Sequence, residues 1–265
     1  KPAHMPDTSK FDLADSWIFD RLNHTVSEVT RLFDEYQFGE AGRELYNFIW
    51  NDFCDWYIEI SKVALNGDDE ELKARKQENL IWILDQILRL LHPIMPFVTE
   101  KLWLSMPHDG KSIMVAKYPE THKEFENKEA DSQMAFLIEV IKAVRNIRME
   151  VNAPMSSPID IMIQIDDDNN KAVLDNNAEY VENFLHPKAL SVASDIEAPK
   201  LAKTAVIPGA QIFVPLTELV NVDEELAKME KEEKRLEAEV ERAEKKLSNQ
   251  GFVAHAPEAV INKEK

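Results

Sequence analysis

The chain has 265 residues, 44% of them hydrophobic, with five tryptophans and a formal net charge of −18. That is enough apolar sequence for one large domain or two small ones plus an extension, yet no run approaches the ~20 apolar residues of a membrane span. The charge argues against DNA or general nucleic-acid binding, because neutralised phosphates supply most of that affinity; a few local cations on an acidic surface can still read one structured RNA.

Residues 1–13 form a polar leader that does not resemble a signal peptide. The lone Cys54 excludes an internal disulfide framework and any multi-cysteine zinc site. Together these features predict a soluble, cytoplasmic protein. Asp15 is placed to cap a helix whose apolar positions are Ile18, Leu22, Val26, Val29, Phe33 and Tyr36. After a turn at Phe38-Gly39, a second helix aligns Ala41, Leu45, Phe48, Ile49, Phe53, Trp56, Ile60 and Val63. Asn66-Gly67-Asp68-Asp69 is a turn and cap cluster before a third helix, which buries Leu72, Leu80, Ile83, Leu84, Ile87, Leu88 and Leu91.

His92-Pro93 ends that helix, because proline cannot continue the backbone ladder, and a short helix from Phe97 to Met106 follows. Residues 107–119 read as a loop with one short extended piece, and a fifth long helix runs from about Phe125 to Val151. Long helices with short connections predict a mainly α, antiparallel bundle over residues 14–152. A small α+β module over residues 153–217 is expected next. It has a strand at Pro158–Ile165, a helix at Asp175–Leu185 closed by His186-Pro187, a strand at Ala189–Val192 and a hairpin around Pro208-Gly209-Ala210. From residue 218 onward, Leu219, Val222, Leu226, Met229, Leu236, Val240, Ala243 and Leu247 step by threes and fours, interrupted at Glu233. This is a coiled-coil seam of roughly four heptads. Pro257 is placed to start a return helix, so the chain reads as a piece of a longer protein with a truncated arm.

No phosphate loop, dinucleotide fingerprint or nucleophile setting is present, and no histidine pair has metal-ligand spacing. Asp166-Asp167-Asp168 is read as a strand-ending acidic turn in preference to a cation site. No catalytic residue and no metal or cofactor site is therefore expected in this piece. Binding chemistry offers more. Ile58 and Glu59 end the aromatic run from Trp50, and a carboxylate beside apolar surface can accept from the exocyclic amine of cytosine. The plainer alternative is a solvated or salt-bridged helix glutamate. Trp50, Trp56 and Tyr57 can stack bases or build core, the second being the commoner use of aromatics at helical spacing. Arg145 and Arg148 lie three residues apart near a helix end, where they clamp phosphates or favour the dipole. Arg242 falls at an outward position of the heptads. His92 reads as a helix terminator.

Phe53-Cys-Asp-Trp-Tyr-Ile-Glu59, Leu91-His-Pro-Ile-Met-Pro-Phe97 and Arg145-Asn-Ile-Arg148 resemble the anticodon-binding domain of bacterial valyl-tRNA synthetases, class I enzymes of their kind. Lys246-Leu-Ser-Asn-Gln-Gly-Phe252, closing the heptads, is similar to that family's coiled-coil arm. The resemblance extends from Ala14 onward. It implies a parent enzyme, a monomer using ATP and magnesium, that attaches valine to tRNA(Val) and edits mischarged threonine. It implies that the bundle grips the anticodon stem-loop through Ile58 and Glu59, with Arg145 and Arg148 toward the RNA side, and that Arg242 meets the tRNA elbow. The family's His-Ile-Gly-His and Lys-Met-Ser-Lys-Ser signatures, its editing domain and a leading bundle helix are absent from these residues. An isoleucyl or leucyl counterpart and a non-catalytic scaffold are the competing readings. The single cysteine disfavours the zinc-bearing isoleucine type, and the acidic surface suits the scaffold. An unpaired seam would also let the arm self-associate.

Overall fold

Asp12, not Asp15, caps the first long helix. The structure, a computed structural model, describes residues 4–154, 158–216, 233–238, 240–243 and 245. Helix α1 (Leu13–Asp34) opens with a capping box: the Asp12 carboxylate accepts from the Asp15 N–H at 2.8 Å, and the Asp15 carboxylate accepts from the Asp12 N–H at 3.4 Å. Asp15 is thereby turned inward and fully buried. The chain reverses at Tyr36, whose φ is 59°, and Gly39 lies inside α2 (Phe38–Asn47) instead of in a turn.

Where one regular helix is expected through Val63, α2 runs into a π-helical segment, Phe48–Ile58, and resumes as α3 (Glu59–Leu65). Phe48 and Phe53 are both buried although five residues apart, which suits backbone bonds that reach back five residues instead of four. Trp50 stays on the outside, 52% exposed, and Val63 is also exposed. Asp69 caps α4 (Glu70–Leu91) by accepting from the Glu71 and Leu72 N–H groups. Lys76, Asn79 and Trp82 are buried along α4 beside the expected Ile83, Ile87 and Leu88, while Leu72, Leu80, Leu84 and Leu91 are half-buried. The break at His92-Pro93 is as expected, and α5 (Pro96–Trp103) starts with proline at its first position. His92 Nδ1 sits 2.8 Å from Thr99 Oγ1, a local tie across that break. The following loop carries two single 3-10 turns, Ile113–Val115 and Lys123–Phe125, in place of an extended piece. Asn127 then caps α6 (Lys128–Glu150).

Beyond α6 come β1 (Asp160–Gln164), α7 (Asp168–Asn176), α8 (Ala178–Leu185), β2 (Ala189–Ala193), β3 (Ala202–Ile207) and β4 (Ala210–Pro215). The helix expected at 175–185 is α8, and an unexpected helix, α7, precedes it, separated at Asn177 and capped by Asp167 of the acidic run. The sheet order is β2-β1-β4-β3, with β1 parallel to β2 and β4 antiparallel to both its neighbours. Helix α6 packs against α1 on the bundle side and against α7, α8, β3 and β4 on the other. One continuous core therefore includes Phe19, Leu137, Val144, Ile161, Leu185 and Ile212. Leu88, Trp103 and Ile113 make a small separate cluster.

Residues 233–238, 240–243 and 245 are helical, with Leu236, Val240 and Arg242 exposed. The seam positions Leu219, Val222, Leu226, Met229 and Leu247, and the expected return helix from Pro257, lie outside the described residues. Among the described residues no helix is long and apolar enough to cross a membrane, and no cluster of three metal-ligating side chains occurs.

Candidate nucleic-acid interface

The end of the π segment, α3, α6 and α8 surround an open groove of about 900 Å³. Glu59 enters from the first turn of α3, and Lys62 lies one turn on. The Lys62 ammonium holds both Glu59 oxygens, at 2.6 and 2.8 Å, so the plainer expectation for this carboxylate is met. Both partners are half exposed, where an ion pair adds little stability and can be exchanged for another partner. Asp55 also borders the groove, so Lys62, Lys142 and Arg145 face two carboxylates on a chain that is otherwise strongly acidic.

Arg145 is the centre of this arrangement. Its guanidinium lies over the Phe184 ring at 5.0 Å and the Trp56 ring at 5.8 Å, and those two rings are themselves 5.0 Å apart. Cation–π contact with two rings holds the guanidinium at the groove wall. Its Nε is buried, without a hydrogen-bond partner among the described residues. Trp56 is buried and thus serves both as core and as the surface on which Arg145 rests. Ile58 is half-buried against the core and does not line the groove.

Arg148 requires a correction. It is fully buried, donating from one terminal nitrogen to the Pro154 carbonyl at 3.0 Å and from the other to the Leu185 carbonyl at 2.8 Å. At this level the exposed face of α6 carries Asn146, Met149 and Glu150, while Arg148 points to the opposite, covered side, so the two arginines do not share an exposed face. Arg148 ties the end of α6 to the end of α8 and so positions the groove from behind. Arg242 is exposed on the helical residues 240–243.

A second polar cluster lies inside the bundle. Asp15 Oδ1 accepts from the Tyr57 hydroxyl at 2.7 Å and from Lys76 Nζ at 2.6 Å, and Lys76 also reaches Asp12 at 2.6 Å. Tyr57 is the neighbour of Trp56, so the π segment sends one aromatic residue inward to this cluster and the next to the groove. Burial and the Asp15 charge push the Tyr57 hydroxyl well above its ordinary pKa.

A family model described as the anticodon-binding domain of tRNA ligase matches residues 15–163, more than half of the chain. The chain belongs to that family. The match spans Trp56, Glu59, Arg145 and Arg148, and ends before α8. A second model, the valyl tRNA synthetase tRNA binding arm, matches residues 221–265, which include Arg242. Valine--tRNA ligase of Lactobacillus johnsonii is 99% identical over the whole chain, which covers 30% of that relative. The Lactobacillus acidophilus counterpart is 87% identical over the whole chain, again 30% of the relative. That of Enterococcus faecalis is 52% identical over 253 residues, 96% of the chain and 29% of the relative. The chain thus spans less than a third of the length of these curated relatives.

Sequence reasoning named Glu59, Arg145 and Trp56 and missed Lys62, Lys142, Phe184 and His186. Lys142 was within reach, being one helical turn before Arg145. Phe184 and His186 carried no signal, because only the packing of α8 on α6 and α3 brings them to the groove.

Proposed function

We propose that this chain is the tRNA-binding portion of a valine–tRNA ligase, and that the groove beside α3 and α6 takes the anticodon loop of tRNA(Val). The observation that carries the reading is the Arg145 guanidinium, held beside the Trp56 and Phe184 rings in one groove with Lys62, Lys142 and Glu59. Unstacked loop nucleotides are recognised by that chemistry: a fork of N–H donors for phosphate and a carboxylate for an exocyclic amine. Glu59 is released to a base by exchanging its Lys62 partner, and Lys62 is then free to meet a phosphate. Ile58 supports the start of α3 from below. Arg242, in the segment matched by the arm model, supplies a sequence-independent phosphate contact at the tRNA elbow. The ATP- and magnesium-dependent attachment of valine belongs to the remainder of such an enzyme.

Filter binding of valine tRNA transcripts with native and altered anticodons, at low and moderate salt, tests this. Native transcripts should bind more tightly than altered ones. Glu59→Ala should erode that preference by about tenfold, the worth of one base-edge contact. Arg242→Ala should weaken all transcripts alike. No detectable affinity at low salt, or equal affinity for every anticodon with Glu59→Ala silent, sinks the reading.

A further inference from the structure

We propose that α8 is a working wall of the RNA groove, with Asn183 and His186 hydrogen-bonding the same single-stranded loop nucleotide whose phosphate is held by Arg145. This rests on the RNA-binding reading above and adds a part of the molecule outside both matched regions, since α8 falls between residues 163 and 221.

Three observations carry it. First, Phe184 of α8 supplies the nearer of the two rings that hold Arg145; without α8 the guanidinium rests on Trp56 alone. Second, Asn183 and His186 flank Phe184 and border the same open space as Arg145, Lys142 and Glu59. An amide offers both donor and acceptor and an imidazole a ring face and two nitrogens, the groups that read an unstacked base or a ribose hydroxyl. Third, the backbone spends stability to put a side chain there. His186 sits in the left-handed region, φ 44° and ψ 56°, at the C-terminal cap of α8. Glycine is the usual residue in such a cap, and a side chain there costs about 1–2 kcal/mol. The position is held from both sides: the His186 N–H bonds the Glu182 carbonyl at 2.8 Å, and the Leu185 carbonyl takes the Arg148 guanidinium. The buried arginine of α6 therefore sets the edge of the wall.

The test uses the whole chain and a valine tRNA transcript as probe. His186→Gly suits the left-handed backbone and keeps the fold, while removing the ring; His186→Asn also tolerates that conformation and keeps a polar group. Expected results are a loss of about fivefold to tenfold for His186→Gly or Asn183→Ala, the size of one hydrogen bond to a charged or polar partner, with His186→Asn recovering most of it. The Arg145→Gln, His186→Gly double variant should lose less than the product of the two single losses, because both contact one nucleotide. Arg145→Gln should also flatten the salt dependence by about 0.7 in log–log slope, the mark of one single-strand phosphate contact. Lys171→Ala, on α7 outside the groove, should change nothing. If both α8 variants bind like the native chain while Arg145→Gln weakens binding, the wall is idle, and the RNA-binding reading stands without it. Losses that simply multiply also overturn the shared nucleotide. If the native chain binds no transcript, the RNA reading falls and takes this inference with it.

Discussion

Asp15 shows how much one misplaced-looking carboxylate can organise. Two carboxylates, Asp12 and Asp15, share the single ammonium of Lys76, which is 2% exposed, and Tyr57 completes the shell. Burial, reinforced by the Asp12 charge, pushes the Asp15 carboxyl above its ordinary range against the pull of Lys76 and Tyr57. A carboxyl raised in the folded state holds more protons folded than unfolded, so its share of stability is fully present below its unfolded pKa and declines as pH rises. Relative to Asp15→Asn, the native chain should therefore lose stability from about pH 4 upward, a slope that urea unfolding across the acid range measures. A flat or rising difference would mean that Lys76 fully compensates the charge. At neutral pH Asp15→Ala should still cost about 3 kcal/mol, because it removes the Tyr57 acceptor and leaves a buried lysine half-paired. The sequence could not reveal this cluster. Asp15 reads as a helix cap, and nothing singles out Lys76 until α1, the π segment and α4 are brought together. Arg148 was misread for the same reason: its residue type suggests a surface, and only packing on α6 decides that it is inside.

At the scale of elements, punctuation was legible and phase was not. Asp69, Pro93 and Pro96 each act by local chemistry, as a cap or breaks, whereas Asn127, the cap of α6, lies past the expected start near Phe125. The division of α7 from α8 at Asn177 has neither glycine nor proline to announce it. The π segment is a change of register within a continuous helix, invisible to a search for regular spacing. It nevertheless shapes the site, since it carries Trp56 toward α8 and, in the next position, Tyr57 toward Asp15 of α1 and Lys76 of α4. If the register is as described, Phe48→Ala and Phe53→Ala should each cost about 3–5 kcal/mol, whereas exposed Trp50→Ala should cost under about 0.5. Chemical denaturation of the three variants distinguishes them. A small loss at Phe53 with a large one at Trp50 would contradict the described burial.

At the scale of the whole molecule, the change of composition at Asn152-Ala153-Pro154 marks a change of secondary structure but not a gap in the core. Helix α6 belongs to both sides. Its bundle face meets α1, and its other face meets α7, α8 and the β3–β4 hairpin. The hairpin turn is fitted closely to this joint: Gly209, at φ 85°, lies where a Cβ would come within 2.4 Å of the Asn170 amide and 3.8 Å of the Phe136 ring. Arg148 then bonds two carbonyls from beyond the boundary, which a bundle ending at residue 152 would leave it without. Such sharing couples the stability of the groove to that of the sheet, because Trp56 and Glu59 come from one side and Phe184 from the other. Amides of β1, β4 and the middle of α6 should accordingly exchange through one opening, with protection free energies agreeing within about 1 kcal/mol. Hydrogen exchange resolved by peptide would measure them together. If the sheet peptides open several kcal/mol more cheaply than α6, the boundary at 152–153 separates two folding units. The groove would then lose the Phe184 side of Arg145 long before the bundle unfolds, and RNA affinity would fall with the sheet while the helical signal persisted.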